Sequence, residues 1–376
     1  MHPALRWILA AFALNIGAVT ASAQWRVTVP PALDIAATDG VGNVLLQLPI
    51  GGTRLSDGTL AVADGMAGRV VFFAPDGKLL RTVGRTGRGP GEFIAISWVG
   101  QCARDSVFAW DFPQQRVSVI STAGEITRQS RVPADPTKAG PPFSLACSRS
   151  GVVGHLGWPG PSKATSGSFT RGTAPLTIVG VAGDVIGRLG DVWGAEFTSQ
   201  CGGSFPRPLG KTTYIAVSRD FVFVATGDSA SIEVTPIEGL REGRSAIRSI
   251  KLPIAARAAT RRQLEAASEP FLAWFPAGPG RDKMRSCMQS VPAPDRAPPY
   301  SAIHSDTAGT LWIQTSFAGD STTRLLAMSP AGQRLGELDL PRALTIFEIG
   351  TDFVLGRYDA PSGEQHIVLY RYRRGR

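Results

Sequence analysis

The feature that most constrains the fold is a short pattern that recurs along the chain. A strand-like segment is followed by a turn glycine and a second strand-like segment, and in three copies an arginine stands eight residues before the glycine. These copies are RVVFFAPDGKLLRTV (69–83), RVSVISTAGEITRQS (116–130) and RLLAMSPAGQRLGEL (324–338). Two looser copies have their glycines at Gly183 and Gly239. Because apolar and polar residues alternate and glycine permits the positive φ of a tight turn, each copy predicts a β-hairpin.

The hairpins are spaced as the blades of a β-propeller are. Their turn glycines lie 47, 59, 56 and 93 residues apart (77 to 124, 124 to 183, 183 to 239 and 239 to 332). A period of about 40 to 50 residues is typical of four-stranded blades, and the longer intervals require insertions. We therefore predict an all-β, six-bladed β-propeller with blades at about 43–93, 94–133, 143–197, 212–253, 299–341 and 342–376.

The last predicted blade has room for only three strands. One strand-like segment, WRVTVP (25–30), stands alone near the N-terminus. We predict that this N-terminal strand joins the last blade and closes the ring, since closure pairs two edges that are otherwise exposed. The 43 glycines and 28 prolines are scattered among short apolar runs, which favours a single β domain over residues 24–376.

The glycine-rich stretch GRTGRGPGEF (84–93) has two interpretations. A phosphate-binding loop requires Gly-Lys-Ser/Thr at the start of a helix, and neither the lysine nor a helical pattern follows here. We interpret the stretch as a joint between the first two blades, with Phe93 filling the gap, and we interpret GRLGDVWGAEF (187–197) as a second joint. Arg85 and Arg88 remain candidates for anion binding.

The same stretch carries a resemblance to a known family. GRTGRGPGEF, followed by SVFAWDFPQQRVSVI (106–120), resembles the repeats of six-bladed NHL-type propellers, in which a Gly-rich segment ending in Gly-Gln/Glu-Phe precedes a strand, an aspartate and an Arg-Val strand. The whole chain is similar, more loosely, to exported bacterial six-bladed propeller proteins. The resemblance implies the fold, whereas such propellers include scaffolds, lyases and lactone hydrolases.

A metal-dependent activity would need ligands at the central channel. Four candidates are His304, at the end of a predicted innermost strand, and Asp306, Asp64 and Asp111, at predicted strand ends. Calcium or zinc would be the metal, although no cofactor is required by the pattern. The alternative is that the aspartates end strands, accept hydrogen bonds from turn amides and pair with the arginine that begins the next strand. The chain has no Gly-x-Ser-x-Gly motif of a serine hydrolase.

A helical insertion is predicted at 254–298, between blades four and five. Thr260 and Gln263 form a capping-box pattern, and Leu264, Ala267, Phe271 and Trp274 recur at helical spacing. A second helix is expected at about 281–289. The insertion either covers a blade edge or a propeller face, or serves as a lid or partner-docking element.

The four cysteines predict two disulfides. Cys102 and Cys147 occupy equivalent positions in consecutive blades, close enough for a bridge between neighbours. Cys201 and Cys287 are then left to pair. Metal binding is the alternative, but no two cysteines are close in sequence.

Residues 1–23 have the features of a cleavable secretory signal: Arg6, an apolar run at 7–19 and small residues at 21–23. The 13-residue run is shorter than the roughly 20 residues that span a bilayer, and no cysteine for lipid attachment follows. We therefore expect a periplasmic or extracellular protein without a transmembrane segment.

Charge leaves a further alternative open. The chain has 39 lysines and arginines and 30 acidic residues, a net charge of +9. Its arginines are spread over many segments, with small clusters at Arg261 and Arg262 and in the C-terminal tail at Arg371, Arg373, Arg374 and Arg376. We attribute this charge mainly to solubility and expect no nucleic-acid partner.

These observations favour one function over two others. We expect a monomeric scaffold that binds a ligand, peptide, glycan or protein through the channel mouth and the insertion. The alternatives are a metal-dependent lyase or lactone hydrolase in the channel, and a binder of anionic polysaccharide or membrane.

Overall fold

The computed structural model describes residues 25–36, 46–131, 142–157, 169–243, 247–273 and 275–375. The predicted signal segment at 1–23 lies outside these residues. The described strands form six antiparallel sheets arranged as a six-bladed β-propeller, which confirms the predicted fold class.

The strands follow the predicted blades closely. Two short strands come first, β1 (Arg26–Val27) and β2 (Leu33–Ala36). Blade one contains β3 (Pro49–Arg54), β4 (Leu60–Asp64), β5 (Arg69–Phe73) and β6 (Leu79–Val83). Blade two contains β7 (Ile96–Ala103), β8 (Ser106–Asp111), β9 (Arg116–Ser121) and β10 (Ile126–Arg131). Blade three contains β11 (Pro142–Ser148), β12 (Val152–Gly157), β13 (Phe169–Gly180), β14 (Val185–Thr198) and β15 (Phe205–Pro206).

The second half of the chain contains the helices. Blade four contains β16 (Tyr214–Val217), β17 (Phe221–Ala225), β18 (Ser231–Pro236), the short helix α1 (Ile237–Arg241) and β19 (Arg248–Lys251). Helices α2 (Arg261–Ala267), α3 (Glu269–Leu272) and α4 (Pro279–Ser290) follow. Blade five contains β20 (Ala302–Ser305), β21 (Leu311–Gln314), β22 (Thr323–Met328) and β23 (Arg334–Leu340), and blade six contains β24 (Leu344–Ile349), β25 (Phe353–Asp359) and β26 (Gln365–Arg373). No described helix is long and apolar enough to cross a membrane.

The ring is closed by the N-terminal segment, as predicted. Strand β1 pairs antiparallel with β26, with Arg26 opposite Arg373. Strand β2, which the sequence did not indicate, also pairs with β26, with Ile35 opposite Ile367. Two strands therefore cover the outer edge of the last blade, which would otherwise present unpaired backbone groups.

The core is divided among the six interfaces between neighbouring blades. Each interface has its own cluster of buried side chains. Five of these clusters contain ten or more buried apolar residues. The cluster between blades two and three has three within the described part of the chain: Cys102, Phe108 and Val119.

The two predicted disulfides are present. Cys102 bonds to Cys147 across the interface of blades two and three, with their Cα atoms 5.2 Å apart. Cys201, in the loop after β14, bonds to Cys287 on α4, with a Cα separation of 5.8 Å.

The stretch 84–93 is a joint between β6 and β7. The amide of Phe93 donates to the carbonyl of Arg85 (2.9 Å), and the amide of Gly87 donates to the carbonyl of Phe93 (3.0 Å). The Phe93 ring is fully buried in the cluster between blades one and two. The Gly89 amide and the Arg85 guanidinium both bind the Glu92 carboxylate and lower its pKa.

The predicted second joint at 187–197 was wrong. These residues belong to β14, which pairs with β13 over most of its length. The glycines that suggested a joint are accommodated within the hairpin: Gly190 has a φ of +82°, and the pairing register shifts between Leu176 and Thr177 and between Arg171 and Thr173. Such bulges let extra residues fit into a continuous ladder.

The insertion has the predicted capping box, in which Thr260 and Gln263 satisfy each other's backbone amides. The continuous first helix that we predicted is instead interrupted, because Pro270 has no amide hydrogen for Ala266 and its ring clashes with that carbonyl. Trp274 lies outside the described residues. Helix α4 spans 279–290 and therefore includes the predicted second helix.

Candidate functional site

The candidate site is the central channel, a cavity of about 690 Å³. Its wall consists of the first strand of every blade, namely β3, β7, β11, β16, β20 and β24. None of the described residues that line it belongs to the insertion at 254–298. We call the propeller face that carries the turns between first and second strands the turn face.

Two polar groups in the channel wall have no hydrogen-bond partner among the described residues. They are Oε1 of Gln101, a residue only 6% exposed, and Nε2 of the half-buried His304. Leaving a buried polar atom unpaired costs about 1 to 3 kcal/mol. Because each atom is itself buried in the wall, a polar ligand or ordered water in the channel would pair with it only after the side chain shifts toward the cavity.

His304 is a neutral residue in this wall at neutral pH. Burial lowers the pKa of its imidazole from the ordinary 6.5 to about 4. Its ring therefore offers one nitrogen as a donor and one as an acceptor.

Three arginines line the channel at the turn face. Arg104, Arg149 and Arg219 lie in the turns that follow the first strands of blades two, three and four, and we call them the arginine arc. The turns of blades two and three are joined by a bridge between Ala103 and Ser150, and the amide of Gly151 donates to the carbonyl of Cys102 (2.9 Å). The neighbouring disulfide further fixes the positions of Arg104 and Arg149.

Arg149 reaches across the channel. Its Nη2 donates to Glu348 Oε1 (2.6 Å) on blade six and to the carbonyl of Arg54 (2.7 Å) on blade one. The second carboxylate oxygen of Glu348 accepts from the hydroxyl of Thr53 (2.8 Å) and the amide of Arg54 (2.7 Å). Blades three and six are opposite each other in the ring, so this ion pair spans the mouth of the channel.

The side chain of Arg54 lies outside this crossing and packs against blade six. Its guanidinium stands over the ring of Phe353, 5.2 Å from the centroid. Burial, followed by repulsion from Arg371, lowers the pKa of Arg54.

Of the predicted metal candidates, His304 and Asp306 line the channel, whereas Asp64 and Asp111 lie elsewhere. Asp64, at the end of β4, accepts from the amides of Gln47 and Leu48 and from Arg69. Asp111, at the end of β8, accepts from the amide of Ile94 and from Gln114. Asp64 has all the strand-end roles that the sequence offered as the alternative to metal binding. Asp111 accepts from turn groups but not from the arginine of the next strand, because Arg116 donates to the carbonyls of Gly89 and Glu92.

Asp306 lies on the other face of the propeller from Asp64 and Asp111. It follows the first strand of its blade, whereas they end second strands that run in the opposite direction. Its carboxylate accepts from the amides of Ala308 and Thr310 and from Arg374 (3.1 Å). Among the described residues, no group of three or more His, Cys, Asp or Glu side chains is placed to hold a metal ion.

The predicted basic candidates are dispersed over the surface. Arg85 pairs with Glu92, and Arg88 is exposed near it in the joint. Arg261 pairs with Glu265 on α2. In the C-terminal tail, Arg374 pairs with Asp306 and Arg371 pairs with Asp352, whereas Arg376 lies outside the described residues.

Arg262 lines a second cavity of about 360 Å³ between the insertion and blade five, which we call the insertion groove. Arg257 and Arg324 also line it. The guanidinium of Arg257 stands over the ring of Phe317 at 4.7 Å from the centroid and donates to the carbonyl of Thr315. Asp320, the acid in this groove, accepts from Gln263 and from the amide of Phe317.

Sequence reasoning missed the arginine arc, Gln101 and Glu348. A signal for the arc was present, because ARDS (103–106), SRSG (148–151) and SRDF (218–221) each place arginine second in the turn after an innermost strand. Glu348 had no such signal, since it is 199 residues from its partner Arg149.

Comparison with known proteins supports the fold. No family model matches the chain, and no curated protein matches it. A candidate exported protein from Bacteroides fragilis superposes with a TM-score of 0.51 at 12% identity, covering 96% of this chain and 98% of its own. A member of the DUF4221 family from Bacteroides vulgatus superposes with a TM-score of 0.52 at 10% identity, covering 94% and 100%.

An enzyme is among the more distant matches. A gluconolactonase from Xanthomonas campestris has a TM-score of 0.47 at 11% identity, covering 93% of this chain and 96% of its own. At these identities the comparisons establish what the chain is similar to in architecture, the six-bladed β-propellers, and they leave its function unassigned.

Proposed function

We propose that the protein is an exported binding module whose central channel holds a polar small-molecule ligand. The observation that supports this proposal is a pair of polar groups, Gln101 Oε1 and His304 Nε2, that lack partners among the described residues and belong to the wall of a cavity of about 690 Å³. A ligand that bonded to both would remove the cost of leaving them unpaired.

Export and family membership are parts of the same proposal. Two disulfides suit an oxidising compartment, and the segment 1–23 has the features of a secretory signal. The sequence GRTGRGPGEF supports placement among the NHL-type propellers. A binding role in such a fold depends on the site and not on the architecture.

A blocked channel provides the test. Ser97 is exposed and lines the channel, so Ser97→Trp should fill it. Ser362→Trp, in the exposed turn between β25 and β26, is the matched control. We would screen neutral sugars, amino acids, carboxylates and phosphate esters by thermal shift and confirm hits by calorimetry.

Binding that is lost in Ser97→Trp and retained in Ser362→Trp would support the channel. Hits that survive Ser97→Trp, or no hit at all, would contradict it. Melting with and without a chelator, in the same experiment, tests the metal-dependent lyase or hydrolase alternative.

The insertion groove favours a second candidate function, binding of an anionic glycan. Arg257, Arg262 and Arg324 line the groove, and its acid, Asp320, is held by neighbouring donors. Of the three arginines, Arg324 also pairs with Asp339. Binding of dextran sulfate should fall steeply with salt and should weaken in Arg262→Ala. An equal effect of Arg241→Ala, at an exposed position of α1 outside both cavities, would contradict this placement.

A further inference from the structure

We infer that the channel ligand is anionic, and that its oxyanion binds the arginine arc by taking the place of Glu348 on Arg149. The inference rests on the proposed function and adds the chemical class of the ligand. Two observations support it. The channel lining has more cationic than anionic side chains, and the carboxylate of Glu348 already occupies the mouth.

The channel lining contains more cations than anions. Its charged side chains are Arg104, Arg149 and Arg219 against Glu348 and Asp306. Asp306 is paired with Arg374, which lies outside the channel lining, and accepts from two turn amides. Glu348 is therefore the acid that faces the arc.

Two members of the arc have no assigned partner. Arg104 and Arg219 are exposed, and neither forms an ion pair or hydrogen bond with the described residues. They flank Arg149 in the ring, since they belong to the blades on either side of its own. An oxyanion at this mouth can therefore meet two guanidinium groups that no acid of the channel lining uses.

Glu348 shows how the mouth holds a carboxylate. One of its oxygens accepts from Arg149, and the other accepts from the hydroxyl of Thr53 and the amide of Arg54. Charge-assisted bonds of this kind are about twice as strong as neutral ones. A ligand oxyanion that contacted Arg149 together with Arg104 and Arg219 would have three cations, whereas Glu348 has one.

The exchange would also change access to the channel. Because Arg149 reaches from blade three to blade six, its side chain crosses the turn-face mouth while it is paired with Glu348. When the ligand replaces Glu348, Arg149 can turn toward its own side of the ring. Both a carboxylate and a phosphate ester would present the oxyanion that this exchange requires.

The test measures binding of inorganic phosphate and of citrate to the full chain by calorimetry at constant, low ionic strength. Arg104→Gln and Arg219→Gln should each weaken the preferred probe about tenfold or more, the effect expected for losing one charge-assisted bond. Arg241→Gln makes the same charge change at an exposed position of α1 that lines neither cavity, and should leave the affinity unchanged. Arg262→Gln reports whether the probe binds in the insertion groove instead. The probe that binds more tightly identifies the source, carboxylate or phosphate.

Glu348→Gln is the decisive variant. It removes the competing carboxylate and releases Arg149, so the affinity for the anion should rise several-fold. Glu348→Asp keeps the negative charge on a shorter side chain. A carboxylate then still competes with the ligand for Arg149, so the affinity should change less. Circular dichroism and melting of each variant establish that it is folded.

The outcomes separate this inference from the proposed function. An affinity that falls or stays constant in Glu348→Gln, or that depends on Arg262 and not on the arc, would overturn the inference. If neutral compounds bind, are blocked by Ser97→Trp, and the anions do not bind, the inference fails and the proposed function stands. If neither class binds, both fail.

Discussion

At the scale of single residues, the joint at 84–93 depends on one ring and one glycine. Gly84 has a φ of +89°, and a Cβ atom there would lie 2.6 Å from the ring of Phe93. The glycine therefore allows the ring to enter the gap between blades one and two, where it is fully buried. The two residues form one structural unit.

Phe93→Ala should lower the free energy of unfolding by about 3 to 5 kcal/mol, because it leaves a cavity at the interface of two blades. Leu80→Ala in β6 is the control, since Leu80 is 47% exposed and should cost less than about 1 kcal/mol. Urea unfolding of both variants checks this. Equal losses would mean that Phe93 does not fill the joint.

His304 should make stability depend on pH. The unfolded chain protonates this residue near pH 6.5, whereas the folded chain does so only near pH 4. The unfolded state therefore binds the extra proton between these values, so the contribution is complete above pH 6.5 and is lost as the pH falls to 4. The slope from this one residue is at most about 1.4 kcal/mol per pH unit.

Urea unfolding at pH 5 and pH 7 measures that contribution. His304→Gln cannot take up the proton, so its stability should differ less between the two pH values than that of the original chain. Other titrating groups are common to both proteins and cancel in the comparison. Identical pH dependence would show that His304 is accessible to protons in the folded state.

At the scale of elements, the N-terminal strands complete the last blade. Strand β26 has nine residues, of which β1 and β2 cover both ends. Trp25, just before β1, is 5% exposed and lies against Trp312 and Tyr372, with ring centroids 4.9 and 5.8 Å away. The closure is therefore stabilised by both backbone pairing and aromatic packing.

A chain that begins at residue 37 should melt at a lower temperature than one that begins at residue 25. It loses the pairing along β26 and exposes a long unpaired edge, which promotes association between molecules. Differential scanning calorimetry and light scattering measure the two effects. An unchanged melting temperature and an unchanged mass would show that β25 and β26 hold the blade without the N-terminal strands.

Elements were predictable from sequence where their signals are local. The hairpins have a turn glycine at a fixed offset, and helix α2 has its capping box. The segment 187–197 misled because glycines in a bulged strand look the same in sequence as glycines in a joint. The ion pair of Arg149 and Glu348 lay beyond sequence reasoning, since only closure of the ring brings blades three and six face to face.

At the scale of the whole molecule, stability depends on six blade interfaces whose described apolar clusters differ in size. The interface of blades two and three has three buried apolar residues within the described chain, and the other five have ten or more. The Cys102–Cys147 disulfide crosses this same interface. A covalent bond thus joins the two blades whose described apolar cluster is the smallest, next to the arginine arc.

Replacement of both cysteines should open the ring at this interface. Cys102→Ser with Cys147→Ser should cost about 4 kcal/mol by the chain-entropy relation, since the two positions are 45 residues apart. Cys201→Ser with Cys287→Ser should cost a similar amount, because its loop spans 86 residues. We therefore expect the two variants to lose similar amounts of stability but to open in different parts of the molecule.

Hydrogen exchange followed by mass spectrometry distinguishes them. In the Cys102/Cys147 variant, exchange should accelerate in β7 to β12, because the described residues contribute few buried side chains to the interface of blades two and three. In the Cys201/Cys287 variant it should accelerate in α4 and in the loop after β14, with blades two and three unchanged. Faster exchange spread evenly over all six blades in the first variant would contradict a weak interface, because it would mean that the ring opens only as one cooperative unit.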